Sequence, residues 1–170
     1  MLVDDLRANS DAGMLTLAMI ATLRLGQASR RARGIAAIFA WPLRLVTAIA
    51  YRVLSGICNC SVPFSVSIGR RVRWQHGFSG IFVTRDSKIG DDCIILHQVT
   101  IGSNLRFTAE QRKSPVIGAR VLIGAGAKII GGVTIGDGAR IGAQALITSD
   151  VPEQATCFAP SAQIMVNSKV

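Results

Sequence analysis

The chain has 170 residues, enough for one domain plus an appendage. Apolar residues make up 49% of it and aromatics only 5%, which argues against a core built on rings and for a thin interior of branched aliphatics and alanine. A net charge of +9 calls for an anionic partner; because no aromatics interleave the basic residues and no nucleic-acid motif is present, a polyanionic cofactor or acidic lipid is expected, and nucleic acid is not.

Residues 1–60 read as a helical region. Asp4 and Asp5 stand where a secretory signal would be basic, so no signal is expected and the protein is placed in the cytoplasm. MLTLAMIATLRL (14–25) and IAAIFAWPLRLVTAIAYRVL (35–54) are glycine-poor and apolar, as helices are, and Pro42 must start, end or kink the second. Residues 35–58 have the length of a membrane span, but Arg44 and Arg52 inside it are expensive at the centre of a bilayer. Two compatible readings remain, with the first preferred: burial in an oligomer, or peripheral contact of residues 14–58 with the inner membrane. In the second, Arg24, Arg30, Arg31 and Arg33 lie near acidic lipid. Cys58, Cys60, Cys93 and Cys157 have no disulfide-framework spacing and are expected as reduced thiols. Cys58 and Cys60 form a lone CxC in a chain with two histidines, so no metal is expected.

From residue 61 to 152 the pattern changes. Ile117, Ile123, Ile129, Ile135, Ile141 and Ile147 recur every sixth residue, four of them followed by glycine. At ~100° per residue, six helical steps make ~600° and scatter the isoleucines over three directions, so no helical face accounts for them. Short strands separated by bends do, each isoleucine pointing at a common axis. The positions two before each isoleucine (Val121, Ala127, Val133, Ala139, Ala145) are small and apolar, as a cramped inward corner requires. Such self-similarity marks a parallel β-helix, an all-β solenoid whose rungs bury themselves by stacking. Upstream, Ile68 and Trp74 open the series, the register slips through GFSGIFV, and Ile89, Ile95 and Ile101 restore it. Sixteen residues separate Ile101 from Ile117 where six would suffice, so 103–115 is an extruded loop. The tail, 153–170, has lost the period and is expected to cap the last rung.

His76 follows Trp74 by two residues and His97 follows Ile95 by two. Three sides of six make a coil of 18, and the slip adds three, which matches the 21-residue spacing of the two histidines. They are therefore expected at equivalent points of consecutive coils, ~4.8 Å apart along the axis, with rings within about 7 Å. Paired imidazoles suit proton transfer near neutral pH.

The stretches IGRRVRWQHGFSGIFV, IGDDCIILHQVTIGS and SPVIGARVLIGAGAKIIGGVTIGDGARIGA resemble the hexapeptide-repeat acyltransferases, more narrowly their serine acetyltransferase branch. The opening MLVDDLRANS and the short helical N-terminus look most like the colanic-acid-type exopolysaccharide acetyltransferases. The resemblance implies a left-handed β-helix, a homotrimer or dimer of trimers, acetyl-CoA held between adjacent subunits, and a histidine base. By position it makes His76 the base with His97 beside it. It sets Ala125 and Ala143 along the CoA arm, Ser103 and Asn104 near the thioester, with backbone N–H groups for the oxyanion, and Arg140 near the CoA phosphates. Gln75, Lys113 and Ser114 fall on the acceptor side. Serine acetyltransferases carry a second histidine where Ser114 stands, and carboxylates where Ser61 and Gln75 stand. These departures favour a carbohydrate acceptor, with O-acetylation of an exopolysaccharide or its precursor by direct transfer. Serine O-acetylation for cysteine synthesis is the alternative. A non-catalytic or zinc-binding β-helix, the latter like γ-class carbonic anhydrases, ranks last, because zinc there needs three histidines.

Overall fold

The computed structural model of the chain describes residues 1–104 and 113–162. Four helices come first: α1 (Leu2–Ala8), α2 (Met14–Arg31), α3 (Ile35–Phe39) and α4 (Trp41–Ile57). α1 lies within the helical region read from the sequence but ahead of the two helices drawn there, and α2 runs six residues beyond the expected end at 25. Gly26, the first residue past that end, has no side chain because a Cβ there would run into the Phe64 ring. The missing side chain lets Phe64 lie flat on the helix, with the Arg30 guanidinium 3.9 Å from its centroid and Tyr51 at 4.9 Å. Pro42 stands in the first turn of α4, where its missing N–H has no partner to lose, and so it starts a helix. The expected single helix over 35–54 is thus two, α3 and α4.

From Ser61 onward, strands of two or three residues wind through three parallel sheets. The first sheet stacks β1 (Ser67–Ile68), β4 (Lys88–Ile89), β7 (Val116–Ile117) and β10 (Thr134–Ile135). The second stacks β2 (Arg73–Trp74), β5 (Ile94–Ile95), β8 (Leu122–Ile123), β11 (Arg140–Ile141) and β13 (Thr156–Cys157). The third stacks β3 (Phe82–Val83), β6 (Thr100–Gly102), β9 (Lys128–Ile130) and β12 (Leu146–Ile147). This is a parallel β-helix. Its register sets like on like: Ile89 against Ile117 and Ile117 against Ile135, Ile95 against Ile123 and Ile123 against Ile141, Ile101 against Ile129 and Ile129 against Ile147. Ile95, Ile101, Ile123, Ile129, Ile135 and Ile141 have no solvent exposure, and the small corner residues Ala127 and Ala139 are equally buried. The tail departs from expectation. The six-residue spacing of isoleucines stops at Ile147, yet Val151 bridges Ile135 and Cys157 pairs with Ile141, so these smaller apolar residues carry the coil a further turn.

The first coil is anchored by helix side chains instead of another rung. Asn9 donates from Nδ2 to the Val72 carbonyl at 2.9 Å and accepts at Oδ1 from the Trp74 N–H at 2.9 Å. Gln27 donates to the Val66 carbonyl at 2.9 Å, and Asp5 accepts from the Arg71 N–H at 2.6 Å. Arg24, buried, pairs with Asp5 at 2.7 Å and donates to the carbonyls of Ile68 and Gly69. Arg24 is therefore a structural cation, which corrects its expected place at a lipid surface. Backbone groups that would otherwise be unpaired are satisfied by these contacts, each worth about 1 kcal/mol, more where charged.

Candidate functional site

Trp74 pairs with Ile95, so the positions two residues further on stack as the spacing predicts. The rings of His76 and His97 have centroids 5.5 Å apart and planes at 81°, an edge-to-face approach. The three extra residues of this coil form the turn that carries His76. Trp74 and Phe78 stack at 4.3 Å beneath it, and Phe78 and Ile81 are buried. His76 itself has φ 65°, an uncommon conformation for a non-glycine residue, and it presents an exposed ring. Gly77 follows at φ 79°, and a Cβ on it would approach the Thr16 hydroxyl to 2.9 Å. His97 is half-buried, and its Nδ1 is buried without a hydrogen-bond partner among the described residues. Such an orphan costs about 1–3 kcal/mol, so the fold keeps a polar nitrogen unsatisfied beside His76.

A cavity of about 390 Å³ opens in front of His76, between β2 and the α1–α2 connection. Gln75 lines it. Asn9, Asp11 and Arg73 line it too, and sequence reasoning missed all three. Asp11 and Arg73 are 3.4 Å apart, partly exposed, and Arg73 also reaches the Gln75 side-chain oxygen at 3.5 Å. Their signal in the sequence was only a lone acid in the polar break between helices, and an arginine on the outward side of a strand. A carboxylate, a guanidinium and an imidazole thus converge on one cleft. That set complements a small zwitterion bearing a hydroxyl: the carboxylate meets an ammonium, the guanidinium a carboxylate, and the imidazole a proton on oxygen.

The second sheet also aligns Ala125, two residues after Ile123, and Ala143, two after Ile141, above His97. One corner of the solenoid therefore runs His76, His97, Ala125, Ala143, rising about 4.8 Å per coil. Two imidazoles give way to two methyl groups, leaving a lane of backbone open to a thin, extended ligand. Gln144 N–H donates to the Ala125 carbonyl at 2.9 Å, so the lane's peptides are held in place. Arg140 lies exposed on β11 near this corner.

The other expected residues stand elsewhere in the same chain. Ser103 follows β6, at the corner it shares with Arg85 and Gly131, and its hydroxyl is 3.5 Å from that of Thr84. Ser103 and Ser114 line a cavity of about 460 Å³, in which Ser114 donates to the Arg85 carbonyl at 2.7 Å. Asn104 and Lys113 line another of about 640 Å³ beside Gly131 and Gly132. Within one chain, then, these four are not gathered at His76. The remainder of the expected loop, 105–112, lies outside the described residues. Larger cavities than the one at His76 exist, but none contains a histidine, and chemistry outranks volume here. No cysteine lines the His76 cleft. Burial pushes the Cys93 thiol up to about 11 and the Cys60 thiol to about 12, far from nucleophilic thiolates. Among the described residues, no three His, Cys, Asp or Glu side chains gather where they could hold a metal.

Residues 114–149 match the family of bacterial transferase hexapeptide repeats (six repeats). The serine acetyltransferase of Helicobacter pylori strain J99 is 35% identical over 118 residues, covering 69% of this chain and 66% of that one. The serine acetyltransferase of Mycobacterium tuberculosis is 34% identical over 118 residues, 69% of this chain and 49% of that one. The chain thus spans from about half to two thirds of the length of these relatives. Among solved structures, the Brucella abortus serine acetyltransferase in complex with coenzyme A superposes with a TM-score of 0.74 at 23% identity, covering 99% of this chain and 67% of that one. The soybean serine acetyltransferase complexed with serine gives 0.72 at 25% identity, covering 96% and 68%.

Proposed function

We propose that this chain, which matches the hexapeptide-repeat transferases over residues 114–149 and has serine acetyltransferases among its relatives, acetylates the hydroxyl of L-serine with acetyl-CoA as donor. The expected exopolysaccharide acceptor is corrected: these relatives are serine acetyltransferases, and they support the reading that ranked second. The observation that carries the proposal is the charge arrangement at His76. Asp11 and Arg73 complement the ammonium and the carboxylate of serine, two charges that a neutral sugar does not carry. They replace the acceptor-binding histidine that the Ser114 position lacks.

The mechanism needs few groups. His76 takes the hydroxyl proton as the serine oxygen forms its bond to the thioester carbonyl carbon, a step worth about 10²–10⁴-fold. The carbon–sulfur bond then breaks, and the imidazolium returns its proton to the departing thiolate, so the enzyme ends unchanged. His97, edge-on to His76, limits the angles the His76 ring can adopt and positions it. Ala125 and Ala143 leave room for the thin arm of the donor, which their corner would present to the thioester end at His97. The oxyanion donors near Ser103 stand at another corner, so the complete site combines two copies of the chain, as in a trimer. The likeness to the solved serine acetyltransferases supports reading the coil as left-handed.

The test is direct. Purified protein with acetyl-CoA should release free thiol on addition of L-serine and yield O-acetylserine by mass spectrometry. Thiol release that is indifferent to serine, or faster with an oligosaccharide, would reject the reading.

A further inference from the structure

α4 is the outermost layer of the helical region, packed on α2 and burying only Thr47. Its outer side is apolar. Val46, Ile49, Val53 and Ile57 follow one another at steps of three and four and all are exposed, so they form one stripe. α3 and the junction extend it with Phe39, 80% exposed, and Trp41, 63% exposed. Neither helix is long and apolar enough to cross a membrane. The stripe runs along a helix of 17 residues, about 25 Å.

Charge says what covers it. Residues 12–85 contain ten arginines and neither an aspartate nor a glutamate. Arg31, Arg33 and Arg52 are exposed and, among the described residues, form no ion pair. Arg44 donates to the carbonyls of Ser29 and Ala32 at the end of α2, close enough to Arg30 for the two cations to oppose each other. Arg30, Arg52 and Arg85 line a cavity of about 800 Å³ between α4 and the solenoid, Asp86 being the single acid in its wall. A second copy docking face to face would bring the same cations together with no acid in either segment to pair them. An anionic bilayer supplies both halves of the missing partner: acyl chains for the stripe and phosphates for the arginines.

We propose that α3 and α4 lie flat on an anionic membrane surface, their apolar stripe in the acyl boundary and Arg30, Arg31, Arg33 and Arg52 among the lipid phosphates. This attachment is independent of the acceptor chemistry at His76. The protein lies on the bilayer and does not span it.

The full chain is sedimented with vesicles of phosphatidylcholine alone or with about one third phosphatidylglycerol, and its tryptophan emission recorded. Trp74 is buried, so a blue shift on binding reports Trp41. Cosedimentation is expected with the anionic vesicles at least tenfold above the neutral ones, and high salt should reverse it. An R31A/R33A/R52A variant should lose roughly fivefold in partition per arginine. An I49D/V53D variant should lose the blue shift. Protein that stays in the supernatant with anionic vesicles, or partitions equally into neutral ones, overturns the proposal. So does I49D/V53D dissociating the free protein into smaller species, which would show a second copy on that face. Serine acetylation without vesicles should be the same in the arginine variant, which separates this failure from failure of the catalytic reading.

Discussion

Replacing His76 with alanine is expected to lower kcat by about 10²–10⁴-fold, the span for one positioned proton acceptor. His97→Ala should cost less, since it acts through the neighbouring ring, and His97→Gln should recover part of the loss because an amide can still hydrogen-bond an imidazole. Steady-state kinetics on the three variants checks the order, and equal losses at both histidines would exchange their roles. Asp11→Asn and Arg73→Ala address the acceptor instead. Each removes a charge-assisted contact worth about 1.5–3 kcal/mol, so KM for serine should rise roughly 10- to 100-fold while KM for acetyl-CoA stays put. An unchanged serine KM in both would leave the cleft without a role in acceptor choice.

The elements differ in how plainly the sequence announces them. Each isoleucine of the hexads meets its partner one coil away, at a fixed and short spacing, so the rung pattern and the pairing of His76 with His97 can be counted along the chain. Asp11 and Arg73 cannot be found that way. They meet because α1, seven residues with no repeating pattern, docks on the first coil through Asn9 and Asp5. The contacts span more than sixty residues, and nothing local reports them. The carbohydrate acceptor was expected from motif positions at Ser61, Gln75 and Ser114, whereas the relatives that match are serine acetyltransferases. Docking of α1 also has an energetic signature. Asp5→Ala strands Arg24 as an uncompensated buried cation and should cost about 3–5 kcal/mol by urea denaturation. Because Asn9 and Asp11 sit on the displaced segment, serine KM should rise in the same variant. Loss of stability with an unaltered KM would mean that the cleft forms without α1.

At the scale of the whole molecule, the proposed site draws its base from the His76 corner and its oxyanion donors from the Ser103 corner, and on that reading catalysis requires assembled chains. The particle should sediment at a multiple of the 18.0 kDa chain, and activity per chain should fall when dilution separates the copies. A fully active single chain would place the oxyanion donors elsewhere. Assembly also bears on the first coil. A parallel β-helix is in effect a crystal in one dimension, adding a layer about every 4.8 Å, and either end of such a crystal is a growth face. Asn9, Asp5, Gln27 and Arg24 occupy the lattice sites of one face with side chains no incoming rung can displace, as an impurity poisons a growing crystal. Deleting residues 1–31 should clear that face and turn a discrete particle into rods joined end to end. Electron microscopy would show them, and fibre diffraction would give one continuous axial spacing across the joints between molecules.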